Sequence, residues 1–429
     1  MVRLPLGSVA LVTLAACASG EAGLQQTEAR PGCAADNGGL RLGPEFCALV
    51  VADVGERVRH IAVRPNGDVV VSVASRPEGE ATGGLYVLRD TTGDGAMDIQ
   101  SRFGERNGGT GLHIVGDQVW FGYDDAIVRY TLPVGALEPT GGPDTIVSGL
   151  PSDRSHRAKS IAMGPDGRLY VNIGSPTNSC QAPDRQPGVP GQDPCPDLES
   201  RAGIWVFDAN RVGQTQADGE RFATGIRNAV AIGFSGDGQL YAVQHGRDNL
   251  AQNWEYTQEA SAEKPAEELF RVDQGDDFGW PYCYFDPALN RRVVAPEYGG
   301  DGQEQGRCAG TEDPVFAFPA HWAPNDLLFY TGDQFPARYR DGIFIAFHGS
   351  WNRAPLPQGG YNVVFLPFNA GAPLANYDVF ADGFAGETMT PGEADHRPTG
   401  LAEGPDGSLY ITSDQNGRIW RVMVRPATQ

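Results

Sequence analysis

Apolar residues along this chain alternate with polar ones in short runs, and no long stretch keeps an apolar period of 3.6 residues. A period of two sends successive side chains to opposite faces, so these runs predict strands. One unit recurs: an apolar strand, a turn of Gly, Asp or Asn, a second apolar strand and often a third. Clear copies begin at 60–73 (HIAVRPNGDVVVSV), 112–123 (LHIVGDQVWFGY), 160–174 (SIAMGPDGRLYVNIG), 229–243 (AVAIGFSGDGQLYAV) and 400–413 (GLAEGPDGSLYITS). A degenerate copy lies at 341–353 (DGIFIAFHGSWNR), and third strands follow at 84–90, 126–132, 203–209, 268–274, 361–368 and 417–424.

Six such units predict an all-β fold, a six-bladed β-propeller of four-stranded antiparallel blades. The copies stand further apart than minimal blades require. The excess falls in loops at 175–200, 249–265 and 281–319, and long loops on a regular scaffold are where function gathers. The hairpin within 222–250 carries polar residues that a plain hairpin does not need. Arg227 and Asn228 precede its first strand, and His245, Gly246, Arg247 and Asp248 follow its second.

Composition narrows the partners. The 429 residues carry a net charge of -21 and no Lys/Arg run, which argues against nucleic acid and anionic lipid surfaces. Residues 1–17 combine Arg3, a short apolar run and Leu14-Ala15-Ala16-Cys17, which reads as an export signal with a lipoprotein cleavage box. Cys17 is then the lipid anchor, 18–45 a tether and 46–429 the propeller. That places the protein outside the cytoplasm, on the periplasmic face of a bacterial envelope, touching the membrane through its lipid alone. Six cysteines remain, Cys33, Cys47, Cys180, Cys195, Cys283 and Cys308, as three neighbouring pairs that suit local disulfides in an oxidising compartment. Fifteen pairings are formally open. Asp90, Asp94 and Asp98 have part of the spacing of a calcium loop, with Ser101 where a Glu is expected; a tight turn explains them equally.

His156, flanked by Arg154 and Arg157 just before the third unit, occupies the same place as Arg227-Asn228 in the fourth, so one central site is predicted. At this point the chain resembles the glucose/sorbosone dehydrogenases, and the sorbosone-dehydrogenase-like branch in particular. The motifs are GIRN at 225–228, HGRDNL at 245–250, PAEELFRVDQGDDFGWPYCYFD at 265–286, FHGSWNR at 347–353 and HRPTGLAEGPDGSLY at 396–410. The resemblance implies pyrroloquinoline quinone (PQQ) and Ca2+ as cofactors, and His156 as the catalytic base. It implies Arg227 and Asn228 on the quinone, with Arg227 also stabilising charge in the reaction. It further implies Arg397 on a cofactor carboxylate, and backbone carbonyls of Gly246 and Arg247 on the calcium.

Three positions depart from the soluble glucose enzymes. Ser175 stands where an Asp orients the histidine, Thr399 where a second carboxylate-binding Arg is expected, and the Lys of the fifth blade has no match, with Arg353 or His348 as stand-ins. The implied activity is oxidation of a small-molecule sugar or related alcohol or aldehyde. No CxxCH haem motif is present, so the electron acceptor is external. A calcium-dependent lactonase and a non-catalytic propeller binding a partner or glycan are the competing readings.

Overall fold

Residues 1–2, 32–75, 82–153 and 155–426 are described by the computed structural model. Six antiparallel sheets follow the repeats. Blade one comprises Val58–Val63, Val69–Val73, Gly83–Arg89 and Ile99–Arg106. Blade two comprises Leu112–Val115, Gln118–Gly122, Ala126–Thr131 and Asp144–Ser148, with Gln214–Thr215 added in parallel at its edge. Blade three is Ile161–Met163, Arg168–Ile173, Gly203–Asp208 and Glu220–Thr224; blade four is Ala231–Phe234, Leu240–Gln244, Glu267–Val272 and Phe316–Phe318. Blade five is Pro324–Phe329, Gly342–Phe347, Asn362–Asn369 and Asp378–Asp382. Blade six takes Pro398–Glu403, Leu409–Ser413 and Arg418–Val424 from the end of the chain and its fourth strand, Phe46–Asp53, from the beginning. Each innermost strand touches the next around the ring, and that of blade six touches that of blade one.

Burial follows from this stacking. A second strand lies between neighbouring blades and has no solvent face, so Val69–Val73, Gly342–Phe347 and Leu409–Ser413 are buried throughout. Outer strands such as Ile99–Arg106 keep exposed ends. Blades five and six meet over an aromatic cluster in which Phe46 stands edge-on to Phe335 at 4.8 Å and to Phe380 at 5.0 Å. The innermost strands enclose a cavity of about 490 Å³ lined by their middle and distal residues.

The six cysteines pair with their neighbours: Cys33 with Cys47, Cys180 with Cys195, Cys283 with Cys308. The degenerate fifth repeat begins one strand earlier than its sequence copy suggests. Pro324–Phe329 is its inner strand and 341–353 supplies the second. Ordered structure also starts before residue 46. Gly32 onward belongs to one compact unit, and Arg41–Leu42 extends the sheet of blade five by pairing with Ala381 and Asp382. Cys17 and the cleavage box lie outside the described residues. The acidic loop at 90–98 folds on itself. Asp90 accepts from the N–H of Thr92, Gly93 and Gly95, Asp94 from Ala96, and Asp98 from Thr91, so these carboxylates cap a turn.

Candidate active site

The loops that enter the inner strands, and those that leave the second strands, bring the polar clusters of the sequence to one end of the ring. His156 precedes the inner strand of blade three and holds a left-handed φ of 54°. Two features keep it there. Buried Lys159 donates to the carbonyls of Pro151 at 2.8 Å and Arg157 at 2.6 Å, pinning the loop on both sides of the histidine. Gly174 faces it so closely that a Cβ would lie 2.6 Å from His156 Cβ and 2.8 Å from Asn228 Oδ1.

The imidazole is oriented by a backbone group. His156 Nδ1 lies 2.7 Å from the Ser175 carbonyl and 3.2 Å from its hydroxyl. A carbonyl can only accept, so Nδ1 carries the proton and Nε2 keeps its lone pair. The need for a carboxylate at Ser175 therefore falls away, since the main chain fixes the tautomer that a base requires. Burial, and next the charge of Arg227, holds this imidazole well below its usual range. The half-buried ring is neutral at neutral pH.

Arg227 is 3% exposed and surrounded by acceptors. Its guanidinium donates to Gly246 O at 2.8 Å, His245 O at 3.3 Å, Asn178 O at 3.3 Å, Asn178 Oδ1 at 3.1 Å and Asp248 Oδ2 at 3.3 Å. It thus ties the loop of blade three to the 245–248 loop of blade four. Asn228 is buried beside it, its Oδ1 3.4 Å from Asn172 Nδ2. Asp248 also receives Arg185 at 3.0 Å and Asn352 at 2.9 Å, and against burial the charges of Arg227 and Arg185 hold its carboxyl low, at about 2. Gly246 is gripped from behind: Glu267, 2% exposed, accepts from Gly246 N at 2.8 Å and Ala323 N at 3.0 Å. Burial pushes the Glu267 carboxyl up to about 8.

Across the ring, Arg397 donates to the carbonyls of His348 at 3.0 Å and Gly349 at 2.9 Å. Beside it Asp414 accepts from Arg59 at 3.4 Å, Arg57 at 3.5 Å and His348 Nε2 at 2.8 Å. Arg57 and Arg59 were not anticipated from sequence. Thr399, standing where a second arginine was expected, bonds Val58 O at 3.0 Å, between the two. Period two places Arg57 and Arg59 on one face, Arg57 just before the inner strand and Arg59 at its second residue; the entrance of an inner strand, where His156 and Arg227 also stand, was the available signal. His348 joins the cluster, whereas Arg353 is turned to the carbonyls of Ala262, Ala320 and Pro357. The two sides are electrically continuous: His156 feels Arg227 and His245, His245 feels His348 and Arg59, and Arg59 feels Arg397.

Two groups can be tested against this donor set. Arg57, Arg59 and Arg397 face one carboxylate, Asp414, leaving a net positive wall that suits a flat polycarboxylate such as PQQ. The Gly246 carbonyl has one lone pair left beside its bond from Arg227, and among the described residues no donor reaches the carbonyl of Arg247. Those carbonyls with the adjacent Asp248 carboxylate are hard oxygen donors of the kind calcium takes. The Arg247 side chain points away into an ion pair with buried Glu297. Trp280 is packing, 5% exposed against the Cys180–Cys195 bridge, while Trp351 is 59% exposed.

Comparison with known proteins follows the same outline. The chain is 25% identical over 434 residues to a pyrroloquinoline quinone-dependent pyranose dehydrogenase of Coprinopsis cinerea, covering 89% of this chain and 53% of that protein. It spans about half the length of the curated relatives it matches. Among solved structures, the holo PQQ domain of the Coprinopsis cinerea pyranose dehydrogenase superposes with a TM-score of 0.72 at 20% identity, covering 90% of this chain and 97% of that one. A calcium structure of the Trichoderma reesei Carbohydrate-Active Enzymes Family AA12 protein gives 0.73 at 19%, covering 93% and 100%. At these identities the structures speak for the fold. A TrAA12-like family model matches residues 40–425, nearly the whole propeller, and on that match the chain belongs to the TrAA12-like family.

Proposed function

We propose that the protein is a PQQ- and calcium-dependent dehydrogenase of a sugar or related alcohol or aldehyde, passing electrons to an external acceptor. The carrying observation is the fixed tautomer of His156, which leaves Nε2 as a neutral base beside a fully engaged, buried arginine. Support comes from the pyranose dehydrogenase name of the Coprinopsis relative and from the excess of arginine at the same end of the ring.

When bound, PQQ supplies a two-electron acceptor for the hydrogen leaving the substrate carbon. This chain's residues do the rest. His156 Nε2 takes the proton of the substrate hydroxyl, a role suited to an imidazole kept neutral by burial. Arg57, Arg59 and Arg397 hold the cofactor's carboxylates. The carbonyls of Gly246 and Arg247 hold calcium. Arg227 and Asn228 set the position of the 245–248 loop, and Arg227 lends positive charge beside the reacting oxygen. Three disulfides accord with an oxidising compartment, and export with lipidation at Cys17 belongs to the same proposal.

The test is reconstitution. Quinone-free protein is titrated with PQQ and calcium by absorbance, then assayed with a sugar panel and an artificial dye acceptor. Saturable, chelator-sensitive quinone binding and sugar-dependent dye reduction are expected. Failure to bind the quinone overturns the proposal and favours a propeller that has kept only the fold.

A further inference from the structure

Lysine is scarce in this chain: 31 arginines stand against two lysines, Lys159 and Lys264. Lys264 keeps to the common pattern and pairs with a carboxylate, that of Asp286, at 2.5 Å. Lys159 does not. It is 0% exposed just beyond His156, and its Nζ donates to two carbonyls, Pro151 O at 2.8 Å and Arg157 O at 2.6 Å.

The number of donors decides its state. A neutral amine has two N–H groups and finds two acceptors here. An ammonium ion has three, and among the described residues no third acceptor reaches it. The charged groups that face it act from a distance: Asp124 and Asp125 of blade two, Arg201 of blade three and Arg157 of its own loop, with opposing signs. Burial outweighs them and pushes the amine down to about 7. Arginine, used almost everywhere else in the chain, keeps its proton and has no neutral form to offer.

The neighbouring blade is shaped around this residue. A Cβ on Gly111 or on Gly122 would lie 2.3 Å from Lys159 O, so blade two admits the main chain of Lys159 only through glycines. Gly111 N donates to that oxygen at 3.1 Å. The root of the side chain is thus fixed against blade two, while its tip reaches back to Pro151 and Arg157, one on either side of His156. The left-handed turn at His156 lies inside that span.

We propose that Lys159 is the positioning residue of the catalytic base, holding the loop around His156 by two hydrogen bonds without adding a fixed charge to it. The missing charge matters to the chemistry. His156 becomes a cation on taking the substrate's proton, and a permanent cation in the same loop would oppose that step. The role rests on the dehydrogenase proposed above, in which His156 is the base.

Lys159→Met keeps an unbranched side chain that suits burial and removes both donors. In protein loaded with PQQ and calcium and assayed with a dye acceptor, it is expected to lower kcat about 10- to 100-fold, the cost of a misplaced catalytic group. KM and the quinone affinity read by absorbance titration should not change. In a His156→Ala background the same substitution should cost less than about twofold, because the group it positions is gone. Equal losses in both backgrounds, a fall in quinone affinity, or wild-type kcat in Lys159→Met would overturn the role. Failure of the dehydrogenase itself looks different: the wild type would bind no quinone, and this role would fall with it. The state of the amine is measured without turnover. Full-length protein labelled with carbon-13 at lysine Cε has two lysines to report, and Lys264→Arg identifies the signal of Lys159. That signal is expected to titrate at about 7. A signal still that of an ammonium ion about two pH units higher would overturn the neutral amine, and this measurement stands even if Lys159→Met does not fold.

Discussion

The two ends of the central channel are made by the same six strands and differ in charge. Where the strands enter, Arg57, Arg59, Arg227, Arg397 and His156 crowd together around Asp248 and Asp414. Along their bodies and far ends, Ile61, Ile114, Met163, Phe234, Leu328 and Leu401 line a cavity that also holds His60, His113, Asp326 and Glu403 but no arginine. Of its polar members, His60 Nε2 bonds Asn325 O at 2.9 Å and Asp326 accepts from the N–H of Leu327 and of Leu401, both at 2.9 Å. The repeat builds a ring that is indifferent to chemistry. Function is written in the residues just before each inner strand, where the pattern is free to vary.

The strongest way to break this contrast is His156→Ala. It is expected to lower kcat by about 10²- to 10⁴-fold, the usual worth of a general base, with quinone affinity retained. Dye-coupled turnover near the wild-type rate would end the assignment. Next in size is Arg59→Ala. Asp414 keeps Arg57 and His348 as partners, so the fold should persist. Loss of a charge-assisted bond should weaken PQQ binding about 10- to 100-fold by absorbance titration. Met163→Leu, in the arginine-free cavity, should leave that affinity unaltered, and a comparable loss there would erase the distinction between the ends.

The pH profile sharpens the same point. A base must be deprotonated to act, so kcat/KM rises with pH through the pKa of His156. Burial and Arg227 depress that value, which moves the rising limb below the ordinary imidazole midpoint of about 6.5. A full pH unit below that midpoint, activity should exceed the tenth that an unperturbed histidine would retain. A limb centred at or above the ordinary value contradicts the buried, neutral imidazole. The smallest effect is expected of Ser175→Ala. The carbonyl at 2.7 Å orients the ring and the hydroxyl at 3.2 Å does not, so kcat should change by less than about threefold.

Sequence gave good sight of the fold because two-residue alternation and Gly-Asp turns are local signals. The fifth blade was the exception. Its inner strand, Pro324–Phe329, opens with Pro324, Asn325 and Asp326 and lacks the short Gly-Asp turn, so its alternation is broken where the site needs backbone carbonyls. His156, Arg227 and Gly246 were legible as loop residues at strand ends. Arg57 and Arg59 were not, because they lie more than 300 residues from Thr399 and Asp414, and only the third dimension shows blade one lending its cations to blade six. Ser175 misled in another way: side-chain identity says nothing about what a carbonyl does. Asn178 and Glu267 escaped because their roles are to hold other groups, and such roles depend on contacts between loops that are distant in the chain.

The closure of blade six has a consequence for synthesis. Phe46–Asp53 is made among the first strands of the propeller, and its partner Arg418–Val424 among the last. The ring cannot be completed while the chain is still growing, and until then one sheet edge stays unpaired at each side of the gap. Pairing across almost the full length of the domain is slow, since loop closure must precede the contacts that reward it. A nascent propeller of this design is kept open until Arg418–Val424 has been made.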